Sequence, residues 1–212
     1  GHLGDSVNKM MSVISHRGPD DTGVYKTGNV AFGFVRLSII DLHHGHQPIA
    51  NEDETIFIIF NGEIYNFQSL RNILISKGHQ FRTNTDTEVI LHLYEEYGLE
   101  CLTHLRGMFA FCIYDANKKE IFCARDRFGI KPFYYYADGE SFVFASEIKA
   151  ITTTDFVQKD ISLSALDAYL TYGYTIGTDT IYDKIKKLRP GYYLKLLVNQ
   201  PDSITIEKYW HI

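Results

Sequence analysis

Two hydrophobic rhythms alternate along the chain. Residues 5–15 (DSVNKMMSVIS) place apolar side chains at 7, 10, 11 and 14, the stripe of an amphipathic helix. Residues 15–23 (SHRGPDDTG) are dense in breakers and predict a loop. The apolar run 30–35 (VAFGFV) predicts a short strand leading into Arg36-Leu37-Ser38-Ile39-Ile40-Asp41, and 42–54 reads as a polar loop. A second strand over 55–60 (TIFIIF) ends at Asn61-Gly62. Helical spacing then returns twice. Phe67, Leu70, Ile73 and Leu74 share a face between an Asn66 N-cap and a stop at Gly78. Thr85 and Glu88 have capping-box spacing ahead of Val89, Ile90, Leu93 and Tyr97, with Gly98 as the stop.

From residue 107 the period shortens to two. GMFAFCIYD, EIFCARD, KPFYYYAD and ESFVFASE are separated by Asp-Ala-Asn-Lys-Lys and Ala-Asp-Gly turns, which predicts two antiparallel hairpins. A helix over 162–172 and a hairpin over 191–206 close the chain. Aromatic-rich strands with amphipathic helices predict an α+β fold, sheets covered by helices in an α/β/β/α layering, as one domain over 1–212.

Composition narrows this picture without redirecting it. With 212 residues, 45% of them apolar and 14% aromatic, the chain can bury a core and is not disordered. A net charge of −5 without like-charge blocks argues against nucleic acid or an anionic membrane as partner. No apolar run is long enough for a membrane helix. Cys101, Cys112 and Cys123 are odd in number and lack metal-site spacing, which suits a reducing, cytoplasmic setting. Cys112 and Cys123 alternate with aromatics in strands and Cys101 follows a helix, so all three read as small apolar fillers. His43-His44-Gly45-His46 has no Cys or acidic partner at ligand spacing and reads as a solvated loop rather than a zinc site.

Three places carry two readings each. Asn61-Gly62 is the commonest hairpin signal, yet only Glu63-Ile64-Tyr65 separates it from the cap at Asn66. An Asn amide beside a glycine N–H instead offers two donors to one oxygen atom, the make-up of an oxyanion hole. Arg36 is either a surface arginine paired with Asp41 or another acid, or a bidentate fork for a carboxylate. Asp86, just after the Thr85 cap, either complements the helix dipole or faces a ligand ammonium.

Taken together these stretches resemble the glutaminase domain of the asparagine synthetase family, class II (amino-terminal nucleophile) glutamine amidotransferases. The matching segments are His16-Arg17-Gly18-Pro19-Asp20, Arg36-Leu37-Ser38-Ile39-Ile40-Asp41, Gln47-Pro48 and Asn61-Gly62-Glu63-Ile64-Tyr65-Asn66. Thr85-Asp86-Thr87-Glu88-Val89-Ile90, Arg106-Gly107-Met108-Phe109-Ala110-Phe111 and Arg125-Asp126-Arg127-Phe128-Gly129-Ile130-Lys131-Pro132 continue the series. Ala145-Ser146-Glu147-Ile148-Lys149-Ala150, Leu188-Arg189-Pro190-Gly191 and Tyr209-Trp210 complete it, so the likeness runs from about residue 7 to 210. It implies the four-layer fold of amino-terminal nucleophile hydrolases and hydrolysis of L-glutamine. By resemblance, Asn61 and the Gly62 N–H form the oxyanion hole, and Arg36 clamps the α-carboxylate. Asp86 with Glu63 or nearby backbone holds the α-ammonium, and Leu37, Ser38, Ile39 and Ile40 line the pocket through backbone contacts.

In that family a cysteine thiolate at residue one attacks the amide, with its own α-amino group as base. The 212 residues begin Gly1-His2-Leu3-Gly4 and hold no cysteine before Cys101. Internal cysteines cannot replace it, because their α-nitrogens are in peptide bonds. This polypeptide by itself is therefore expected to release no glutamate. Either the first strand lies outside these residues, or the protein is a non-hydrolysing glutamine-binding or regulatory module. No Ser-Gly-Gly-x-Asp-Ser pyrophosphatase loop occurs here. The resemblance thus implies no cofactor or metal in this domain, with ATP and Mg belonging to a C-terminal synthetase partner that amidates aspartate or another carboxylate. A homodimer is left open.

Overall fold

The computed structural model describes residues 2–37 and 45–211. The helices are α1 (His2–Val13), α2 (Phe67–Ser76), α3 (Asp86–Tyr97), α4 (Cys101–His104), α5 (Ile148–Thr152) and α6 (Leu163–Tyr172). The strands begin with β1 (Asp21–Thr27), β2 (Val30–Arg36), β3 (Ile49–Ala50), β4 (Ile56–Ile64), β5 (Gly107–Asp115) and β6 (Glu120–Arg125). They continue with β7 (Tyr134–Ala137), β8 (Phe142–Ala145), β9 (Ile185–Lys187), β10 (Tyr192–Leu197) and β11 (Gln200–Lys208).

Six strands in the order β11-β10-β6-β5-β4-β3 form one antiparallel sheet. Strand alternation gives it two apolar faces. Ile58, Phe60, Ile64, Phe109, Phe111, Ile113 and Phe122 point one way, where Leu70 and Leu74 of α2 and Val89, Ile90 and Leu93 of α3 cover them. Ile59, Ala110, Cys112, Ile121, Cys123 and Leu194 point the other way, against Val30 and Phe32 of β2, Phe133, and Phe144 of β8. The second layer is therefore the β1-β2 hairpin beside the β8-β7-β9 sheet, and α1 and α5 pack outside it. The result is an α/β/β/α sandwich with all paired strands antiparallel, as the alternating patterns predict.

The β5-β6 and β7-β8 hairpins, the helix at 163–172 and the closing hairpin all stand where the sequence places them. Cys101, Cys112 and Cys123 are buried free thiols, and Cys112 and Cys123 face each other across β5-β6 at 3.3 Å. Burial pushes the Cys101 and Cys112 thiols well above their ordinary value, so they behave as apolar fillers. Two expectations need correction. The loop over 15–23 ends early, because Asp21 already pairs with Arg36 and opens β1. Asn66 precedes α2 but does not cap it; its side chain accepts from the Arg106 N–H and donates to the His104 carbonyl, tying α2 to α4 instead.

Asp126, in the Arg125–Pro132 motif, is fully buried and accepts from the N–H groups of Phe109, Phe128, Ile130 and Lys131. The neighbouring Arg125 donates to the carbonyls of Lys131, Leu188 and Gly129. The motif thus fastens β5 and β6 to the β9–β10 connection. Asp126→Ala would remove the acceptor of four N–H groups, the Phe109 one buried and the others part-buried, and is expected to destabilise the fold by about 2–4 kcal/mol. Denaturant midpoints measure this; a loss below about 1 kcal/mol would mean the loop does not depend on that carboxylate.

Candidate active site

The same strand alternation that fills the helix side with phenylalanine leaves the inter-sheet side lined by small residues. On β4 and β5, Asn61 pairs with Ala110, and Cys112 follows two residues on. A cavity of about 400 Å³ opens there between α1, β2, β4, β8 and the start of α3. Arg36, Leu37, Asn61, Gly62, Glu63 and Asp86 all line it. Ser38, Ile39, Ile40 and Asp41 lie outside the described residues, as do His43 and His44.

Asn61-Gly62 is not a turn. β4 runs unbroken through both, with Asn61 opposite Ala110 and Gly62 opposite Phe109. Hairpin chemistry loses because Gly107–Phe111 supplies a continuous pairing partner, while the chain bends only after Ile64. Glycine is required at 62 for a different reason: a Cβ there would stand 2.2 Å from the Met108 carbonyl oxygen. The close strand approach therefore excludes any side chain. Asn61 is half-buried, and its Nδ2 atom is fully buried with no hydrogen-bond partner among the described residues. An unsatisfied buried amide donor costs about 1–3 kcal/mol, so this one is held in place against its own preference.

Arg36 ends β2 and is 7% exposed, which excludes the surface reading. The His16–Asp20 motif holds its backbone. Asp20 N–H donates to the Arg36 carbonyl at 3.0 Å, Pro19 bridges to Arg36, and a Cβ on Gly18 would lie 2.4 Å from Arg36 N. That motif is anchored in turn by His16 and Arg17, both bonded to Glu147 Oε1. The Arg36 guanidinium also acts on Asp21. Burial of that carboxyl is outweighed by His46, the Thr22 N–H and Arg36, which hold it below its ordinary value.

Asp86 is the first residue of α3, after Thr85, whose Oγ1 accepts from the Glu88 N–H at 3.3 Å. Only half of the predicted capping box forms: Glu88 turns instead to the N–H groups of Arg82 and Thr83. Asp86 is buried and accepts from the Ile64 N–H at 2.9 Å, and it makes no ion pair among the described residues. Burial raises its carboxyl above the ordinary value, backbone N–H groups oppose this, and Glu63 adds to the rise. A buried carboxyl with a raised pKa and no cation beside it is suited to an incoming positive group.

Gln47, of the Gln47-Pro48 motif, acts as a positioning residue. Its side-chain amide accepts from Phe60 N–H at 2.7 Å and donates to the Phe60 carbonyl and to Thr87 Oγ1. It thereby extends the sheet edge beside Asn61 and joins it to the start of α3. Gly23 makes room for its backbone, since a Cβ there would fall 1.7 Å from the Gln47 carbonyl oxygen.

A buried arginine, a buried amide donor without a partner among the described residues and a buried carboxyl thus border one small cavity. In fold, the chain resembles glutamine phosphoribosylpyrophosphate amidotransferase from Bacillus subtilis complexed with ADP and GMP, at a TM-score of 0.69. That match is 20% identical and covers 98% of this chain and 47% of the other. The architecture is thus that of the amino-terminal nucleophile amidotransferases. The glutamine amidotransferase domain family profile matches residues 2–210, and the chain belongs to that family. It is 40% identical over 211 residues to asparagine synthetase [glutamine-hydrolyzing] 3 of Bacillus subtilis, covering 98% of this chain and 34% of the relative. It is 43% identical over 207 residues to asparagine synthetase [glutamine-hydrolyzing] 1 of the same organism, covering 96% of this chain and 32% of the relative. The chain spans about a third of the length of these relatives.

Proposed function

We propose that the cavity binds L-glutamine and that this domain hydrolyses its side-chain amide. The ammonia would serve ATP-dependent amidation of aspartate or another carboxylate by a C-terminal synthetase partner. The partnerless, buried Asn61 Nδ2 on the cavity wall carries the proposal, because it is a donor awaiting an acceptor.

In this reading Arg36 forks onto the α-carboxylate, and Asp86, with Glu63 beside it, faces the α-ammonium. The side-chain carboxamide then lies against β4, where Asn61 Nδ2 and the Gly62 N–H receive the carbonyl oxygen. Attack by a thiolate forms a C–S bond and moves the carbonyl electron pair onto that oxygen. The two donors stabilise the developing charge; the nucleophile's own α-amino group, which took up the thiol proton, returns it to the amide nitrogen, and collapse breaks the C–N bond, releases ammonia and leaves a thioester. Water then attacks through the same tetrahedral arrangement and releases glutamate. Cys101, Cys112 and Cys123 are buried and none can act as that thiolate. The family's nucleophile, an amino-terminal cysteine, is not among the 212 residues.

Asp86 gives this proposal a pH signature. Its free carboxyl titrates above the ordinary value of about 3.9, and only the ionised form attracts an ammonium. Glutamine affinity, followed by calorimetry, is expected to fall as pH drops through that raised value. Asp86→Asn should bind more weakly at neutral pH and lose this dependence. An affinity unchanged by the substitution at neutral pH would remove Asp86 from the ligand.

A further inference from the structure

Away from the cavity, the far half of α3 meets two loops at a second cluster of polar groups. His92 on α3 is 1% exposed, and His79 follows α2; their rings lie 4.9 Å apart. Glu52, from the β3–β4 connection, completes a group whose ligand atoms all lie within 4.8 Å of one another. Glu95 Oε2 stands 2.7 Å from His92 Nδ1 and 3.7 Å from His79 Nδ1, and Glu52 Oε2 stands 3.9 Å from His92 Nδ1. Both Nδ1 atoms therefore face the Glu95 carboxylate.

We propose that His79 and His92, with Glu52 and Glu95, form a binding site for a divalent transition-metal cation of the zinc class. Two imidazole nitrogens and carboxylate oxygens are a borderline-soft donor set that zinc accepts in tetrahedral geometry. Bonds of about 2.0–2.2 Å put tetrahedral ligands roughly 3.3–3.6 Å apart, so the His79–Glu95 and His92–Glu52 pairs at 3.7 and 3.9 Å need draw in by only a few tenths of an ångström.

The surroundings support a cation. Metal-bound histidines typically donate their second ring N–H to a carboxylate, and the His79 ring has one in place, its Nε2 lying 3.3 Å from Glu96 Oε2. His92 Nε2, buried and without a hydrogen-bond partner among the described residues, lies 3.7 Å from Glu88 Oε1, the carboxylate nearest to it. Further bonds hold the acids: the Gln80 N–H donates to Glu52, Asn51 to Glu95, and the N–H groups of Arg82 and Thr83 to Glu88. Lys77 pairs with Glu96, which leaves the carboxylates of Glu52, Glu88 and Glu95 around the two imidazoles without a lysine or arginine ion pair among the described residues. A bound cation would staple α3 to the 51–54 and 77–81 segments.

Zinc titrations of the purified protein without a histidine tag test this, by calorimetry and thermal unfolding. One equivalent of Zn²⁺ is expected to bind and, at about 100-fold above Kd, to raise Tm by about 5 °C or more. Cobalt substitution should give visible tetrahedral absorption. Because His92→Ala risks unfolding a buried site, the variants are His79→Ala and Glu52→Gln at more accessible positions. Each should weaken binding at least 10-fold and abolish the cobalt bands. A His43→Ala/His44→Ala/His46→Ala variant should bind as wild type does. No uptake by the wild type, unchanged binding in His79→Ala, or loss of binding in the triple variant would each overturn the site.

Discussion

Asn61→Ala, made in a full-length protein carrying the amino-terminal cysteine, is expected to lower glutamine turnover by ~10²–10³-fold while KM stays within a few-fold. The asymmetry follows from charge. A neutral carbonyl oxygen in bound glutamine gains little from one amide donor, but the oxyanion of the tetrahedral intermediate gains much in a water-poor cavity. Asn61 Nδ2 is buried and unpartnered before substrate arrives, so aiming it requires no rearrangement as charge develops. The substitution also removes an unsatisfied donor from the interior and should not destabilise the fold. A lower rate would then reflect the transition state rather than unfolding. Turnover within twofold of wild type would contradict the oxyanion role.

Arg36→Ala is expected to abolish measurable glutamine binding. Truncating one partner of a buried, hydrogen-bonded charge pair typically costs about 2–5 kcal/mol, roughly 30- to 5000-fold in affinity. Arg36→Lys should recover only part, since a point charge cannot reproduce a planar two-pronged contact. The backbone at 36 is held by main-chain bonds to Asp20 and by the close approach of Gly18, so β2 should survive the loss of the side chain. Calorimetry decides the matter. Unchanged affinity in a folded Arg36→Ala protein would exclude this residue from the ligand.

These two substitutions and Asp86→Asn probe three elements that lie far apart in the chain: the end of β2, the middle of β4 and the first turn of α3. Each residue carried a bland reading when taken alone. The arginine could pair at the surface, the Asn-Gly could turn a hairpin, and the aspartate could complement a helix dipole. Burial removed the first, since Arg36 is 7% exposed, and register removed the second. The third is a matter of degree: Asp86 does sit at the start of α3, but it is also buried, bonded to Ile64 and placed on the cavity wall.

Most of the architecture was legible in the sequence because it depends on local periodicity. The alternation in GMFAFCIYD and EIFCARD shows two buried faces on each strand, and those faces became the two sides of the central sheet. Short elements escaped. β9 and α5 are too brief to display a period, and β1 was hidden by a breaker-rich opening that pairs only because β2 lies beside it. Gln47 and the Glu52–His79–His92 cluster were equally invisible. Their partners come from separate elements, so no spacing along the chain marks them.

By itself the sequence determined most of the strands, the main helices, the layering and the family, because side-chain period, turn chemistry and ordered motifs are properties of neighbouring residues. The tertiary structure alone decided that Arg36, Asn61, Gly62, Glu63 and Asp86 share one cavity, and that His79 and His92 come together with Glu52. Packing is the reason. Where small residues face large ones between two sheets, a space remains, and only the assembled layers determine which side chains border it.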